Sequence, residues 1–571
     1  MGKSEAGRPV APGLSHVRGA DAPSLREETI GQALSTAAAK WPDREALVSV
    51  HQDIRWTYRA LNDKAEALAA GLLALGLARG ERVGIWAPNC AEWTLTQFAT
   101  AKAGIILVNI NPAYRLSELE YTLNKVGVKA LIAPERFKTS EYVEMVETLA
   151  PEIAKSTGEI SSAKLPHLKR AIQIGGKPRA GWLQFDDVAK LATDAHRASV
   201  AALAGKLDCR DAINIQFTSG TTGLPKGATL SHHNILNNGF MVGRSIGLKE
   251  GDRLCIPVPL YHCFGMVMGN LGCLTHGATM VYPADAFDPP AVLQAVEKER
   301  CTGLYGVPTM FIAELGHPDF AKFDLSSLRT GCMAGSPCPV EVMKQVIDRM
   351  HMKDVTIAYG MTETSPVSFQ TGEADTLERR VSTIGRVQPH LECKIVDLDG
   401  KTVPCGEPGE LCTRGYSVMI GYWDDKEKTA EAVDAEGWMH TGDLAVIDAE
   451  GYGNIVGRLK DMVIRGGENV YPREIEEYLY RHPKVEDVAV VGVPDRKYGE
   501  EICAWVRLKP GESATEDEIK SFCKGQIAHY KVPRYVRFVP EFPMTVTGKV
   551  QKFQIRDAMI AELKLEVAKT A

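Results

Sequence analysis

None of the 13 cysteines forms a CxxC pair; they run from Cys90 to Cys523, with Cys332 and Cys338 the nearest two. A structural zinc site wants tighter spacing. The sequence therefore predicts reduced thiols, mostly small core residues, in a cytoplasmic protein. No apolar run is long enough to cross a membrane. The first thirty residues hold no apolar core of signal-peptide length. Gly2 follows Met1, but Ala6 stands where a myristoylation signal needs Ser or Thr. Net charge is also scarce: 66 basic against 72 acidic residues leave -6. That near balance excludes a protein that coats nucleic acid or an anionic membrane through its net field. No low-complexity tract and no internal repeat stands out.

What is present is length and alternation. At roughly 150 residues per domain, 571 residues allow several modules or fewer large ones. Trp56–Leu77 spaces Leu61, Ala65, Leu68, Ala69, Leu72 and Leu73 as one helical face, and Arg82–Trp86 then reads as a short buried strand. Cys90–Ala103 is again helical and Gly104–Asn109 is another apolar strand. This rhythm predicts an α/β fold with a largely parallel sheet. Near Gly457 the pattern changes to a polar connector, then Pro472 opens a helix, Val485–Val493 reads as a strand, and Thr515 with Glu518 forms a capping box. The expected organisation is an extension at 1–29, a large domain at 30–457, a hinge at 458–461 and a small α+β domain at 462–571.

The strand candidate Ile213–Phe217 runs into Thr218, Ser219, Gly220, Thr221, Thr222, Gly223, Leu224, Pro225, Lys226 and Gly227. A helix is expected next, with Ser231 as its N-cap. Three glycines free the backbone for close approach; four hydroxyls and one ammonium supply donors. Such a loop suits a polyphosphate. It is not a P-loop, because Gly220 and Gly223 are too close and Lys226 precedes Gly227. A flexible Gly/Ser/Thr linker is the bland alternative, but linkers rarely follow a buried strand or carry Pro-Lys-Gly.

This loop, with the segments downstream, resembles the acyl-adenylate-forming (AMP-binding) superfamily: acyl-CoA synthetases, adenylation domains and firefly luciferase. The resemblance covers nearly the whole chain after about residue 30. The segments Tyr261–Gly265 and Arg465–Pro472 most resemble the medium-chain acyl-CoA synthetase family member 2 group of fatty-acid ligases. It implies a large N-terminal multi-subdomain α/β unit with a small mobile C-terminal α+β domain.

The resemblance also assigns roles. Tyr359, Gly360, Met361, Thr362 and Glu363 end a strand that faces adenine and the α-phosphate; Thr362 donates to that phosphate and Glu363 suits Mg²⁺. Gly335 and Ser336 form the adenine-facing turn. Asp443 accepts from the ribose hydroxyls, and Arg458 contacts the same sugar. Lys549, in a Thr-Gly-Lys context, sits against the substrate carboxylate and α-phosphate during adenylation. Lys460 occupies the hinge, and Gly466, Gly467 and Glu468 line the path of coenzyme A.

The acyl pocket is expected around His262, Phe264, Gly265, Met266, Gly269, Tyr305, Val307, Gly331 and Gly335. Gly265, Gly269 and Gly272 form one stripe if the segment is helical, which makes either a groove for an alkyl chain or close helix packing. The expected reaction is ATP-dependent ligation of a fatty acid, of medium chain length, to coenzyme A. An aryl- or branched-acid ligase and an enzyme loading a separate carrier protein stay open. No nucleic-acid partner and no transmembrane segment are expected, and a homodimer is left open.

Overall fold

The computed structural model describes residues 8–218, 225–336, 338–465, 468–524, 526–545 and 549–565. The chain divides into two compact units. The first comprises Arg18–Glu392 and Thr413–Met439; the second comprises Arg8–Val17, Cys393–Cys412 and His440–Ala571.

Two large sheets build the first unit. The eight-stranded sheet runs Gly421–Tyr422, Lys226–Ser231, Ala212–Thr218, Ile106–Asn109, Arg82–Ile85, Val128–Pro134, Arg170–Ile174, Leu183–Gln184. Ile106–Asn109 pairs in parallel with strands on both sides, as the alternating pattern predicts. The nine-stranded sheet has Asp354–Gly360 beside Thr330–Ala334, and Gly303–Gly306 next in line. Helices Tyr58–Ala74 and Ala91–Ala103 lie between these strands in sequence and bury their apolar sides. Helix Ala91–Ala103 is buried all round, so its sequence carries little amphipathic signal.

The polyphosphate-loop segment departs from expectation in one respect. Before the helix, the chain forms a second strand, Lys226–Ser231, antiparallel to Ala212–Thr218. Thr218 pairs with Lys226 and Phe217 with Gly227. The loop thus joins the arms of a β-hairpin. Ser231 does cap the following helix, His232–Ser245, through a capping box with Asn234. Pro225-to-Ser231 alternates too briefly to separate a strand from a helix approach.

The second unit carries a six-stranded sheet, in which Gly409–Gly415 lies beside Met439–Ile447 and Gly453–Arg458 forms the edge. The expected extension at 1–29 is instead part of the fold: Arg8–Pro9 and His16–Arg18 are strands, and Ser15 and Val17 are buried. Arg458 ends a strand, and Leu459–Asp461 is a single 3₁₀ turn inside this unit. A five-stranded sheet follows, in which Gly499–Leu508 is central and forms a long hairpin with the edge strand Val485–Asp495. Pro472–Leu479, Glu516–Cys523 and Lys552–Leu563 are its helices. Among the described residues, no helix is long and apolar enough to cross a membrane.

Candidate functional site

Inside the first unit, buried polar residues hold the base of the loop. Asn214 and Gln216 share one face of the loop strand, two residues apart, and both are buried. Asn109 Nδ2 donates to Tyr261 O at 3.0 Å, and Asn109 Oδ1 accepts from Asn214 Nδ2 at 2.9 Å. Asn214 Oδ1 accepts from Gln216 Nε2 at 2.8 Å, and Gln216 Oε1 accepts from the Cys263 thiol at 3.1 Å. Each amide in this chain both donates and accepts. Breaking it would leave a buried group unsatisfied, at about 1–3 kcal/mol. The chain fixes the Tyr261–Cys263 turn to the loop strand. Burial pushes the Cys263 thiol up to about 12. Cys263 is therefore a neutral thiol that donates.

At the end of the loop strand, charge collects. Glu363 is only 5% exposed. Its Oε1 accepts from the Tyr422 hydroxyl at 2.8 Å and from the Thr218 hydroxyl at 3.2 Å. Its backbone carbonyl accepts from Met419 N at 2.9 Å. Burial, and then the adjacent Glu363 carboxylate, raise the Tyr422 phenol above its ordinary value. Tyr422 thus stays a donor. Lys226 Nζ sits 4.3 Å from the centre of the Tyr422 ring. Lys226 and Glu363, both predicted from sequence, meet on Tyr422, which was not predicted, and the predicted Thr218 bonds to the same Glu363 oxygen. Nothing near Gly421-Tyr422 marks it locally, because it lies 59 residues beyond Glu363.

Thr362 and Glu363 begin a 3₁₀ turn directly after the Asp354–Gly360 strand and Met361. Gly360 permits this approach: a Cβ there would fall 1.8 Å from Pro366 O. Tyr359 precedes it on the strand, partly exposed. Gly335, at φ +89°, follows the Thr330–Ala334 strand in a conformation that suits glycine, and Ser336 comes next. Tyr121 donates its hydroxyl to Pro225 O at 3.1 Å, which fixes the far arm of the loop. Ser219, Gly220, Thr221, Thr222, Gly223 and Leu224 lie outside the described residues.

Several residues expected to line the acyl pocket lie near one another. Phe264 and Tyr305 pack with ring centres 5.2 Å apart and planes tilted by 39°, and Tyr305 donates to Met268 O at 3.3 Å. Met266 is buried, and Val307 Cγ1 lies 3.2 Å from where a Cβ on Gly335 would stand. His262 accepts from Phe264 N at 3.2 Å through Nδ1. The glycine stripe behaves differently. Phe264–Leu271 is a π-helix, a form often found at functional sites. A Cβ at Gly265 would meet Pro259 O at 2.4 Å, and one at Gly269 would meet Ile256 Cδ1 at 2.9 Å. A Cβ on Gly331 would meet Leu304 O at 2.0 Å. These three glycines let chain segments pack together, and protein atoms occupy the space that an alkyl groove would need.

In the second unit, Asp443 and Arg458 face each other as register partners, with Arg458 Nε 3.1 Å from Asp443 Oδ1. Gly442, at φ +68°, bends the strand just before Asp443. Asp443 N donates to the Thr441 hydroxyl at 3.1 Å, and that hydroxyl donates to Leu411 O at 2.7 Å. Lys549 is tied to Thr545: Thr545 N donates to Lys549 O at 2.8 Å, and Lys549 N donates to the Thr545 hydroxyl at 3.1 Å. Gly466 and Gly467 lie outside the described residues; Glu468 opens a short strand paired with Arg465. Lys460 lies in the 3₁₀ turn after Arg458.

Two models of one enzyme family match the chain over most of its length. The model of the AMP-binding enzyme matches residues 34–423, and that of the AMP-binding enzyme C-terminal domain matches residues 474–549. The chain belongs to the AMP-binding enzyme family. It is 51% identical to YngI of Bacillus subtilis (strain 168) over 95% of this chain and 99% of that protein. It is 49% identical to the mitochondrial medium-chain acyl-CoA ligase ACSF2 of Danio rerio, over 96% of this chain and 91% of the other. Among solved structures it is similar to the anthranilate CoA ligase AuaEII in complex with anthranoyl-AMP, at 29% identity and a TM-score of 0.84, over 95% of this chain and 99% of that one. The fold is that of these acyl-adenylate-forming enzymes, a large N-terminal α/β part and a small C-terminal α+β part.

Proposed function

We propose that the protein is an ATP-dependent, AMP-forming ligase that joins a medium-chain fatty acid to coenzyme A. The observation that carries the reading is the cluster of Thr218, Lys226, Glu363 and Tyr422 at the mouth of a glycine-rich hairpin. The similarity to ACSF2 supplies the acid class.

A carboxylate is a poor acyl donor because oxide is a poor leaving group. In the first step, a carboxylate oxygen of the acid attacks the α-phosphorus of ATP and pyrophosphate leaves. The loop and Lys226 hold the phosphates, and the Thr362 hydroxyl orients the α-phosphate. Glu363 fits a Mg²⁺ ligand: it offers hard oxygens, and two hydroxyls fix its orientation as outer partners do for metal-bound carboxylates. When bound, Mg²⁺ neutralises charge on the phosphates. Lys549 lowers the repulsion between two anions where transition-state charge grows. Asp443 and Arg458 read the ribose. In the second step, the coenzyme A thiolate attacks the acyl carbonyl carbon of acyl-AMP, and AMP leaves. Gly466, Gly467 and Glu468 line the thiol's path, and the C-terminal part turns about Lys460 between the two steps. The cysteines are largely buried and, among the described residues, none is in a disulfide, which suits a reducing compartment, the cytoplasm.

The anthranoyl-AMP complex of a structural relative keeps one second reading in play, an aryl acid as substrate. Acid-dependent AMP release with coenzyme A, measured for octanoate, palmitate and benzoate, separates them. The highest kcat/KM is expected for octanoate. Release that ignores coenzyme A would overturn the ligase reading; benzoate as best substrate would overturn the acid class.

A further inference from the structure

We propose that Glu410, Cys412 and His440 form a binding site for a Zn²⁺-class metal ion, separate from the Mg²⁺ that accompanies ATP. Glu410 and Cys412 are two apart on the Gly409–Gly415 strand and so share a face; His440 stands on the neighbouring Met439–Ile447 strand. Their ligand atoms all lie within 4.8 Å of one another. Cys412 Sγ is 3.5 Å from His440 Nδ1, and Glu410 Oε2 is 2.9 Å from that nitrogen.

The chemistry favours a shared cation. Nδ1 carries one proton or one lone pair, so it serves the carboxylate or the thiol, not both. A metal ion in place of that proton is ligated by all three groups. With bonds of about 2.3 Å to sulfur and 2.0 Å to nitrogen, tetrahedral ligands stand about 3.5 Å apart, which is the sulfur–nitrogen separation found here. Only the carboxylate must move away slightly. Its other oxygen, Oε1, already accepts from Gly442 N at 3.0 Å, the kind of outer bond that orients a metal-bound carboxylate. Cys412 is fully buried, while the side chains of His440 and Glu410 are 33% and 21% exposed. The partial exposure of His440 and Glu410 gives an ion a route from solvent to three protein ligands, the number found in accessible zinc sites. The sulfur-nitrogen-oxygen set selects borderline ions, whereas Mg²⁺ wants oxygen alone. Binding expels the thiol proton to solvent.

The full-length protein, reduced and stripped with chelator, is titrated anaerobically with Co²⁺. One equivalent should bind and give an intense thiolate-to-cobalt charge-transfer band in the near ultraviolet. Zn²⁺ should displace it and millimolar Mg²⁺ should not. Cys412→Ser should abolish the band, while Glu410→Gln should weaken binding by about 10–100-fold. Circular dichroism checks each variant's fold. If Cys412→Ser misfolds, His440→Ala decides: loss of the band supports the site, and an unchanged band overturns it. No band in the parent protein, or an equal band in folded Cys412→Ser, also overturns the proposal.

Discussion

The two carboxylates proposed to meet the nucleotide, Glu363 and Asp443, are held in contrasting ways. Glu363 is 5% exposed and takes two hydroxyl donors, while its backbone is tied to Met419. The turn that carries Cys263 is joined to the loop strand by three amides in series. Asp443 pairs instead with Arg458, whose side chain is 52% exposed, on an edge strand. An exposed ion pair contributes about 0–1 kcal/mol and exchanges readily. The first arrangement holds its carboxylate in one place; the second is able to release its partner and take a ligand. A two-step enzyme needs both kinds of group, a fixed floor and contacts that re-form.

The sharpest way to break this contrast is Glu363→Gln. It should lower kcat for acid-dependent pyrophosphate release about 100–1000-fold, since it removes a preorganised charge. A loss under threefold in steady-state kinetics would mean that Glu363 merely stabilises the turn. Asp443→Asn should act more gently and elsewhere: KM for ATP rises about 10–100-fold, the weight of one charged hydrogen bond, while kcat stays within about threefold. If both variants lose kcat alone, the contrast is wrong.

The smallest effect concerns stability. Glu314 is fully buried, neither of its oxygens has a hydrogen-bond partner among the described residues, and burial raises its carboxyl well above its ordinary value of 4.5. Its raised native pKa favours the protonated form. Its contribution is therefore fully present below the unfolded value and is lost as pH rises. Glu314→Met should stabilise the protein by about 1–3 kcal/mol, with a larger rise in melting temperature at about pH 8 than at about pH 5. An equal rise at both pH values, measured by thermal denaturation, would contradict the ionisation account.

Local signals carried much of this from sequence. The Ser231 cap, which follows the Thr218–Lys226 segment, resides in a few consecutive residues and stands where expected. The strand between them was not legible, because six residues, Lys226–Ser231, alternate too briefly to declare themselves. Tyr422 and the Glu410–Cys412–His440 cluster depend on strand neighbours distant in sequence, which spacing rules built for CxxC pairs do not detect. The glycines at 265 and 269 were ambiguous for the opposite reason. A missing side chain reads the same whether a ligand or another chain segment fills the space, and here Pro259 and Ile256 fill it.

The central claim, that one site serves two chemical steps through different residues, rests most directly on Lys549. Half-reactions of Lys549→Ala should be measured side by side, pyrophosphate release from ATP and acid, and thioester formation from supplied acyl-AMP and coenzyme A. The account predicts that adenylation falls at least about 100-fold while thioester formation stays within a few-fold of the parent enzyme. Equal loss of both half-reactions would contradict it.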